Sequence, residues 1–314
     1  MINKNSKIFI AGHNGMIGSA VIRKLKELKY KKIYFQNKKQ LDLRNQNKVY
    51  KYINNIKPDA VILAAAKVGG IKANNTFRGE FIFDNLSIQN NVIDASYKNG
   101  VKNLIFLGCS CVYPKNSKQP IKESYLLSNY LEKTNEPHAI AKIAGVNLCE
   151  SYNIQYNVNY KCLMPCNAYG MNDNYDLNSA HFLPALIRKI INAIKSDKDY
   201  IKIWGSGKAL REVIYSDDIA DACIFFLKKK TKESLINIGT DIEKSITEYA
   251  KFIMKHLGVN LKIIYEKKTL DGTFRKLLDV SLAKKYGWKY KTNLDEGLSN
   301  TINDYLQKYL IENK

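Results

Sequence analysis

The chain has 314 residues, 45% of them hydrophobic, which suits one large domain or two that share an interface and is too apolar for broad disorder. The net charge is +21, but the surplus is mostly evenly spread Lys with no basic cluster interleaved with aromatics; this argues against nucleic acid and for an anionic small ligand such as a nucleotide. No apolar run approaches the roughly 18 residues needed to span a bilayer, and the first seven residues carry no secretory leader pattern, so a cytoplasmic protein without a membrane partner is expected.

Residues 7–11, Lys-Ile-Phe-Ile-Ala, read as a short strand that ends in a glycine-rich turn, residues 12–18. Helical spacing of apolar residues follows from Ser19. A second strand is expected over 32–35, a helix near 45–55, a buried strand over 60–65 and a helix over 80–98. Residues 103–107 read as another strand, ending at Gly108. A helix then carries His138 and Lys142 to about residue 152, and residues 160–164 form the next strand. Repeated strand–helix alternation predicts a doubly wound α/β fold, a parallel sheet covered on both faces. Beyond Tyr169 the alternation loosens, with a helix near 182–196, a strand over 200–204, a helix near 246–257 and an amphipathic helix near 293–311. A smaller C-terminal α/β lobe is expected to cover the ligand. The division is 1–168 and 212–243 for a Rossmann nucleotide-binding domain, and 169–211 and 244–314 for the substrate lobe.

Gly12, Gly15 and Gly18, with Asn14, Met16 and Ile17 between them, offer backbone amides at a helix N-terminus to a pyrophosphate. The second strand runs into Gln36-Asn37-Lys38-Lys39, with no acid before Asp42. An NAD site wants a carboxylate there for the ribose 2′-hydroxyl, whereas an NADP site wants cations. NADP(H) is therefore the expected cofactor, with Lys38 near its phosphate; the competing reading makes Lys38 a solvated surface residue.

Six cysteines (Cys109, Cys111, Cys149, Cys162, Cys166, Cys223) lack the spacing of a structural zinc site, and the four His are dispersed, so no metal is expected. In a cytosolic chain they read as reduced thiols, and Cys109-Ser110-Cys111 is too tight for a redox C-x-x-C pair. Cys111 lies past the C-terminal end of a parallel strand, where open α/β sheets bind ligands. His181 precedes a helix, where a lone His is more often structural than catalytic.

Residues 12–18, Ala65-Ala66-Lys67-Val68-Gly69-Gly70-Ile71, Ser110-Cys111-Val112-Tyr113-Pro114-Lys115 and Thr134-Asn135-Glu136-Pro137 together resemble the GDP-L-fucose synthase family of extended short-chain dehydrogenases. So do Ala141-Lys142-Ile143-Ala144-Gly145, Met164-Pro165-Cys166-Asn167-Ala168-Tyr169-Gly170, Trp204-Gly205-Ser206-Gly207, Arg211-Glu212 and Asp217-Asp218, in order and in register from about residue 7 to residue 290.

The resemblance implies an enzyme, a homodimer as in the family, acting on a GDP-linked 4-keto-6-deoxy sugar. Such enzymes invert C3 and C5 and then reduce the C4 ketone with NADPH. The family's acid–base pair matches Cys111 and His181. Its reductive Ser-Tyr-Lys triad becomes Cys109, His138 and Lys142, and two of these three depart from the pattern. A thiol is a poorer donor than a hydroxyl, and an imidazole is shorter than a phenol. The resemblance adds Ala65, Lys142, Pro165 and Asn167 to the cofactor contacts. To the substrate contacts it adds Asn167, Lys189, Trp204, Arg211, Asp271 and Arg275. For Arg211 a salt bridge to Asp217 or Asp218 is the rival reading. Leu270 and Phe274 stand where the family has proline, which leaves the sugar open between a hexose and a heptose. Three functions follow: an epimerase without reduction, an epimerase-reductase using His138 or water, or a non-catalytic nucleotide-sugar-binding partner subunit.

Overall fold

A computed structural model describes residues 2–266 and 273–309. The chain begins β1 (Lys7–Ala11), α1 (Met16–Glu27), β2 (Lys32–Tyr34), α2 (Gln46–Ile56), β3 (Ala60–Leu63), α3 (Ile71–Thr76), α4 (Arg78–Lys98) and β4 (Asn103–Leu107). It continues through α5 (Glu136–Tyr156), β5 (Asn159–Pro165), β6 (Asn167–Tyr169), α6 (Phe182–Lys195), β7 (Tyr200–Trp204) and β8 (Leu210–Tyr215). The remainder is α7 (Ser216–Lys228), β9 (Leu235–Ile238), β10 (Glu243–Ser245), α8 (Ile246–His256), β11 (Lys262–Glu266), β12 (Arg275–Lys276), α9 (Ser281–Lys285) and α10 (Leu294–Tyr309).

Six of these strands form a parallel sheet in the order β2-β1-β3-β4-β5-β9. β1, β3 and β4 bury nearly every residue, so their sequences are continuous apolar runs and not alternating ones. α1 packs with α7, and α4 packs with both α2 and α5. α1 is preceded by Gly15 as an extended cap and turns Ala20, Val21 and Leu25 inward; Lys24 and Lys26 sit at its C-terminal end, where cations suit the helix dipole. α5 has Pro137 in its first turn, a position where proline's missing amide is no loss.

A second apolar core lies between α6, α8, α10 and the smaller sheets, formed by Tyr169, Tyr175, Leu183, Ile187, Tyr249, Ile253, Leu298 and Ile302. There β8 pairs with β6, β10 and β12, and β7 pairs with β11. The helix expected over 80–98 is α4, preceded by a separate short turn of helix, α3, that the apolar spacing did not foretell. Among the described residues no helix is long and apolar enough to cross a membrane.

The strand order reverses between β1 and β3, and that switch point is where open α/β sheets hold their ligand. Gly12, Ala65, Cys109, Cys111 and Asn167 all follow the C-terminal ends of strands of this sheet, so residues remote in sequence converge along one edge.

Candidate active site

At the switch point the glycines differ in what they do. Gly12 has φ +93°, and a Cβ there would lie 2.5 Å from the Ala65 backbone nitrogen. A Cβ on Gly18 would overlap the Gly12 carbonyl. Gly15 has room for one, since its nearest neighbour would be 3.6 Å away; its amide donates to the Gly12 carbonyl at 3.2 Å and closes the turn ahead of α1, beside the exposed Asn14 and the half-buried Met16 and Ile17. The loop is therefore a tight backbone turn that excludes side chains at Gly12 and Gly18. Beyond β2, Lys38 and Lys39 are exposed. Asp42, the first acid after that strand, is bound by Arg44 at 2.8 Å, which holds its carboxyl down at about 2.

Past β4 the chain presents the reactive groups. Cys109 is extended and residues 110–112 close a short 3-10 turn, which brings the side chains of 109 and 111 to the same side. Their sulfurs are joined as a disulfide with Cα atoms 5.4 Å apart. This corrects the expectation of six reduced thiols: the intervening residue turns tightly enough for its neighbours to meet. Cys149, Cys162, Cys166 and Cys223 are free and buried. Cys109 and Cys111 also lie beside His138, a grouping that the dispersed sequence positions did not suggest. The ligand atoms of Cys109, Cys111 and His138 lie within 4.8 Å of one another.

His138 and Lys142 are one turn apart on the inner face of α5, and both are buried. The His138 Nδ1 lies 3.1 Å from the Asn85 amide nitrogen. Asn85 is itself oriented by the Lys67 amide, which donates to its oxygen at 2.8 Å, and by the Lys67 and Phe81 carbonyls. Burial, then Lys142, then His181 push the His138 pKa down to about 3, so the ring is neutral at physiological pH. Lys142 donates to the Leu107 carbonyl at 2.8 Å and lies 4.6 Å over the Phe106 ring; burial lowers its pKa to about 8. Its ammonium is thus anchored on the β4 terminus, beside the sheet edge where a ribose contact was expected.

His181 immediately precedes α6, and its ring makes no capping hydrogen bond to that helix. It is solvent-accessible yet densely surrounded by protein, as a residue lining a cleft would be. That surrounding lowers its pKa, and Lys276 adds repulsion. The Gly70 amide donates to the Ser179 carbonyl at 2.8 Å, tying the loop after β3 to the segment carrying His181. His181 is near enough to His138 to act on its charge, whereas no direct contact joins it to Cys111 among the described residues.

The predicted substrate contacts are less uniform. Lys189 donates to the Lys202 carbonyl at 2.8 Å and lies 5.2 Å from the exposed Trp204 ring. Arg211 reaches the Leu210 and Phe274 carbonyls. Its rival partners are engaged elsewhere: Asp217 pairs with Arg23, and Asp218 accepts from the Lys291 and Thr292 amides. Arg275 is committed to Glu243 in a two-nitrogen ion pair. Asn167, just past Pro165, donates to the Glu212 carbonyl at 2.7 Å. Asp271 and Leu270 lie outside the described residues.

Two residues of this cluster escaped the sequence reading. Asn85, which orients His138, looks in sequence like one more polar residue of α4. Lys276 pairs in register with Arg211 and is densely surrounded; burial, then Arg211, lower its pKa to about 8, with Glu132 opposing. Its neighbour Arg275 drew attention instead, although adjacent residues of a strand face opposite ways.

Residues 8–239 match the NAD dependent epimerase/dehydratase family. The chain is 45% identical over 307 residues to GDP-L-fucose synthase 1 of Arabidopsis thaliana, covering 98% of this chain and 95% of the relative. A solved GDP-6-OMe-4-keto-L-xylo-heptose reductase from C. jejuni superposes with TM-score 0.91 at 35% identity, covering 98% of this chain and 99% of that one. A GDP-mannoheptose C4 reductase from Campylobacter jejuni with NADP bound gives TM-score 0.88 at 37% identity, with 97% and 99% covered. The chain belongs to the NAD dependent epimerase/dehydratase family, in its GDP-L-fucose synthase branch.

Proposed function

We propose that this protein is a cytoplasmic epimerase of GDP-linked 4-keto-6-deoxy sugars that binds NADP(H) and is deficient in C4 reduction. A C4 ketone acidifies the hydrogens on both neighbouring carbons, so a proton can leave one ring face and return to the other through an enediolate. Cys111 and His181 are the pair assigned to this exchange at C3 and C5. The role of Cys111 requires a thiol and belongs to the dithiol form of the chain. Asn167, Lys189, Trp204, Arg211, Asp271 and Arg275 are assigned to the GDP-sugar, with Arg211 suited by its forked donors to the diphosphate.

The tight turn at Gly12 and Gly18 suits a pyrophosphate, because the backbone packs there too closely for any side chain and leads straight into the N-terminus of α1. Asn14, Gly15, Met16, Ile17, Ala65, Lys142, Pro165 and Asn167 would line that ligand, and Lys38 suits a 2′-phosphate. When bound, NADPH supplies the hydride. The observation that carries the deficiency is His138: it is neutral, buried and braced by Asn85 at the position where the family has its proton donor. Two solved relatives, both reductases, favour a second reading in which reduction persists.

Two apolar cores support the two lobes proposed, 1–168 with 212–243 and 169–211 with 244–314, although Leu278, Val280, Ala283 and Trp288 pack in the large core and Val213 and Tyr215 in the smaller one. A homodimer through α4 and α5 is supported by exposed apolar Phe83 and Ile140 on these adjacent helices. Sedimentation of a Phe83→Glu chain as monomer, against a dimeric parent, is the expected check.

The deciding experiment incubates the reduced protein with a GDP-4-keto-6-deoxy sugar in D₂O, with and without NADPH. Deuterium entering C3 or C5 without NADPH consumption is expected. Rapid NADPH oxidation would establish the second reading. Neither signal, with nucleotide still bound, would leave only a binding subunit.

A further inference from the structure

We propose that, in the dithiol form, Cys109, Cys111 and His138 make a binding site for a soft divalent ion of the zinc class. Their donor atoms lie within 4.8 Å of one another, and this is the one group of three such donors found among the described residues. Two thiolates and an imidazole are the donors that zinc prefers, and a tetrahedral ion held by three protein ligands keeps a fourth position for water or a substrate oxygen.

The geometry asks for little movement. Bonds of about 2.3 Å to sulfur and about 2.0–2.1 Å to nitrogen put the ligand atoms of a tetrahedral ion roughly 3.5–3.8 Å apart. Once reduced, the two sulfurs reach that spacing by side-chain rotation around the tight turn at 110–112. His138 is already braced: Asn85, itself held by the Lys67 backbone, contacts its Nδ1 at 3.1 Å. Such outer partners orient an imidazole ligand and set which nitrogen faces the ion. Charge also balances, because two thiolates neutralise a divalent cation. Cys109 and Cys111 are half-buried, which leaves an entry path.

Cobalt(II) is the probe, because thiolate ligation gives it intense near-ultraviolet charge-transfer bands and tetrahedral coordination gives visible ones. The full chain is reduced with a phosphine under anaerobic conditions until all six cysteines react in denaturant, then titrated with Co²⁺. One equivalent should produce both sets of bands, one equivalent of Zn²⁺ should abolish them, and Mg²⁺ should not. Cys109→Ser and His138→Ala should each weaken Co²⁺ binding at least about 10-fold, the lower end of what disturbing even an outer partner does. Retained NADPH binding shows that both variants fold. A reduced chain without charge-transfer bands, or bands unchanged in both variants, overturns the site. So does a pair of thiols at 109 and 111 that the phosphine cannot release.

An ion on Cys111 should also stop proton exchange, a consequence that rests on the function proposed above. The two fail separately. Zn²⁺ bound at full occupancy with exchange undiminished removes Cys111 from the exchange and leaves the ion site standing. Cys111-dependent exchange in a chain that binds no Co²⁺ does the reverse.

Discussion

An imidazole one turn before Lys142 is a weaker proton donor than a phenol when burial and a neighbouring ammonium both disfavour its charged form. His138 meets both conditions, with its pKa down at about 3. The double change Cys109→Ser, His138→Tyr should therefore raise NADPH oxidation by about 10²–10⁴-fold, the usual worth of one general acid. Stopped-flow absorbance at the NADPH band measures this, and an unchanged rate would locate the deficit elsewhere. Asp173 offers a separate test of burial. One of its carboxyl oxygens has no partner, and burial, with Asp304 adding repulsion, raises its pKa to about 7. The folded chain keeps this proton up to about pH 7, whereas the unfolded chain releases it near pH 4. Between those values the folded state binds more protons, so stability falls as pH rises across the window. Urea unfolding should show Asp173→Asn ahead of the parent by roughly 2–4 kcal/mol at pH 8, with the gain shrinking towards pH 5.

At the scale of elements, the turn between β1 and α1 is legible in sequence because glycine is the chemical answer to a geometric demand. Gly12 is at φ +93° with the Ala65 backbone against it, so Gly12→Ala must distort the cradle. NADPH affinity should drop at least about 10-fold, equivalent to 1.4 kcal/mol, by fluorescence titration. Gly79 in α4 is the control: a Cβ there meets nothing within 4 Å. Gly79→Ala should leave affinity unchanged and stabilise the chain by up to about 1 kcal/mol in thermal unfolding. α3 was not legible for the opposite reason. It spans Ile71–Thr76 with Ala73 and Asn74 buried, and a single turn shows no helical period to detect.

Across the whole molecule, Glu212 bridges the two apolar cores. Its oxygens accept from the Thr240 amide at 2.6 Å, the Asp241 amide at 2.8 Å and the Leu278 amide at 2.9 Å. β8, which carries it, belongs to the smaller sheet, Thr240 follows the last strand of the large sheet, and Leu278 sits in the large core. Burial lifts its pKa to about 7 against the pull of these three donors. Glu212→Gln presents only one acceptor oxygen to donors on both sides, so it should cost about 1–3 kcal/mol in denaturant unfolding. Substrate affinity should fall more than cofactor affinity, because the displaced strand carries Arg211. Equal losses would mean that Glu212 supports only the large domain.

What the sequence determined alone is whatever short-range pattern encodes. Continuous apolar runs marked the buried parallel strands, the glycine triplet marked the cofactor turn, and Cys111, His138 and Lys142 could be placed on elements by their spacing. Convergence was decided only by the tertiary structure. Cys109 and His138 stand 29 residues apart in sequence and meet because β4 and α5 deliver them to the same sheet edge. The pairing of Cys109 with Cys111, the bracing of His138 by Asn85 and the approach of Lys276 to Arg211 depend on rotamers and registers set by packing, which carry no local period for a sequence to display.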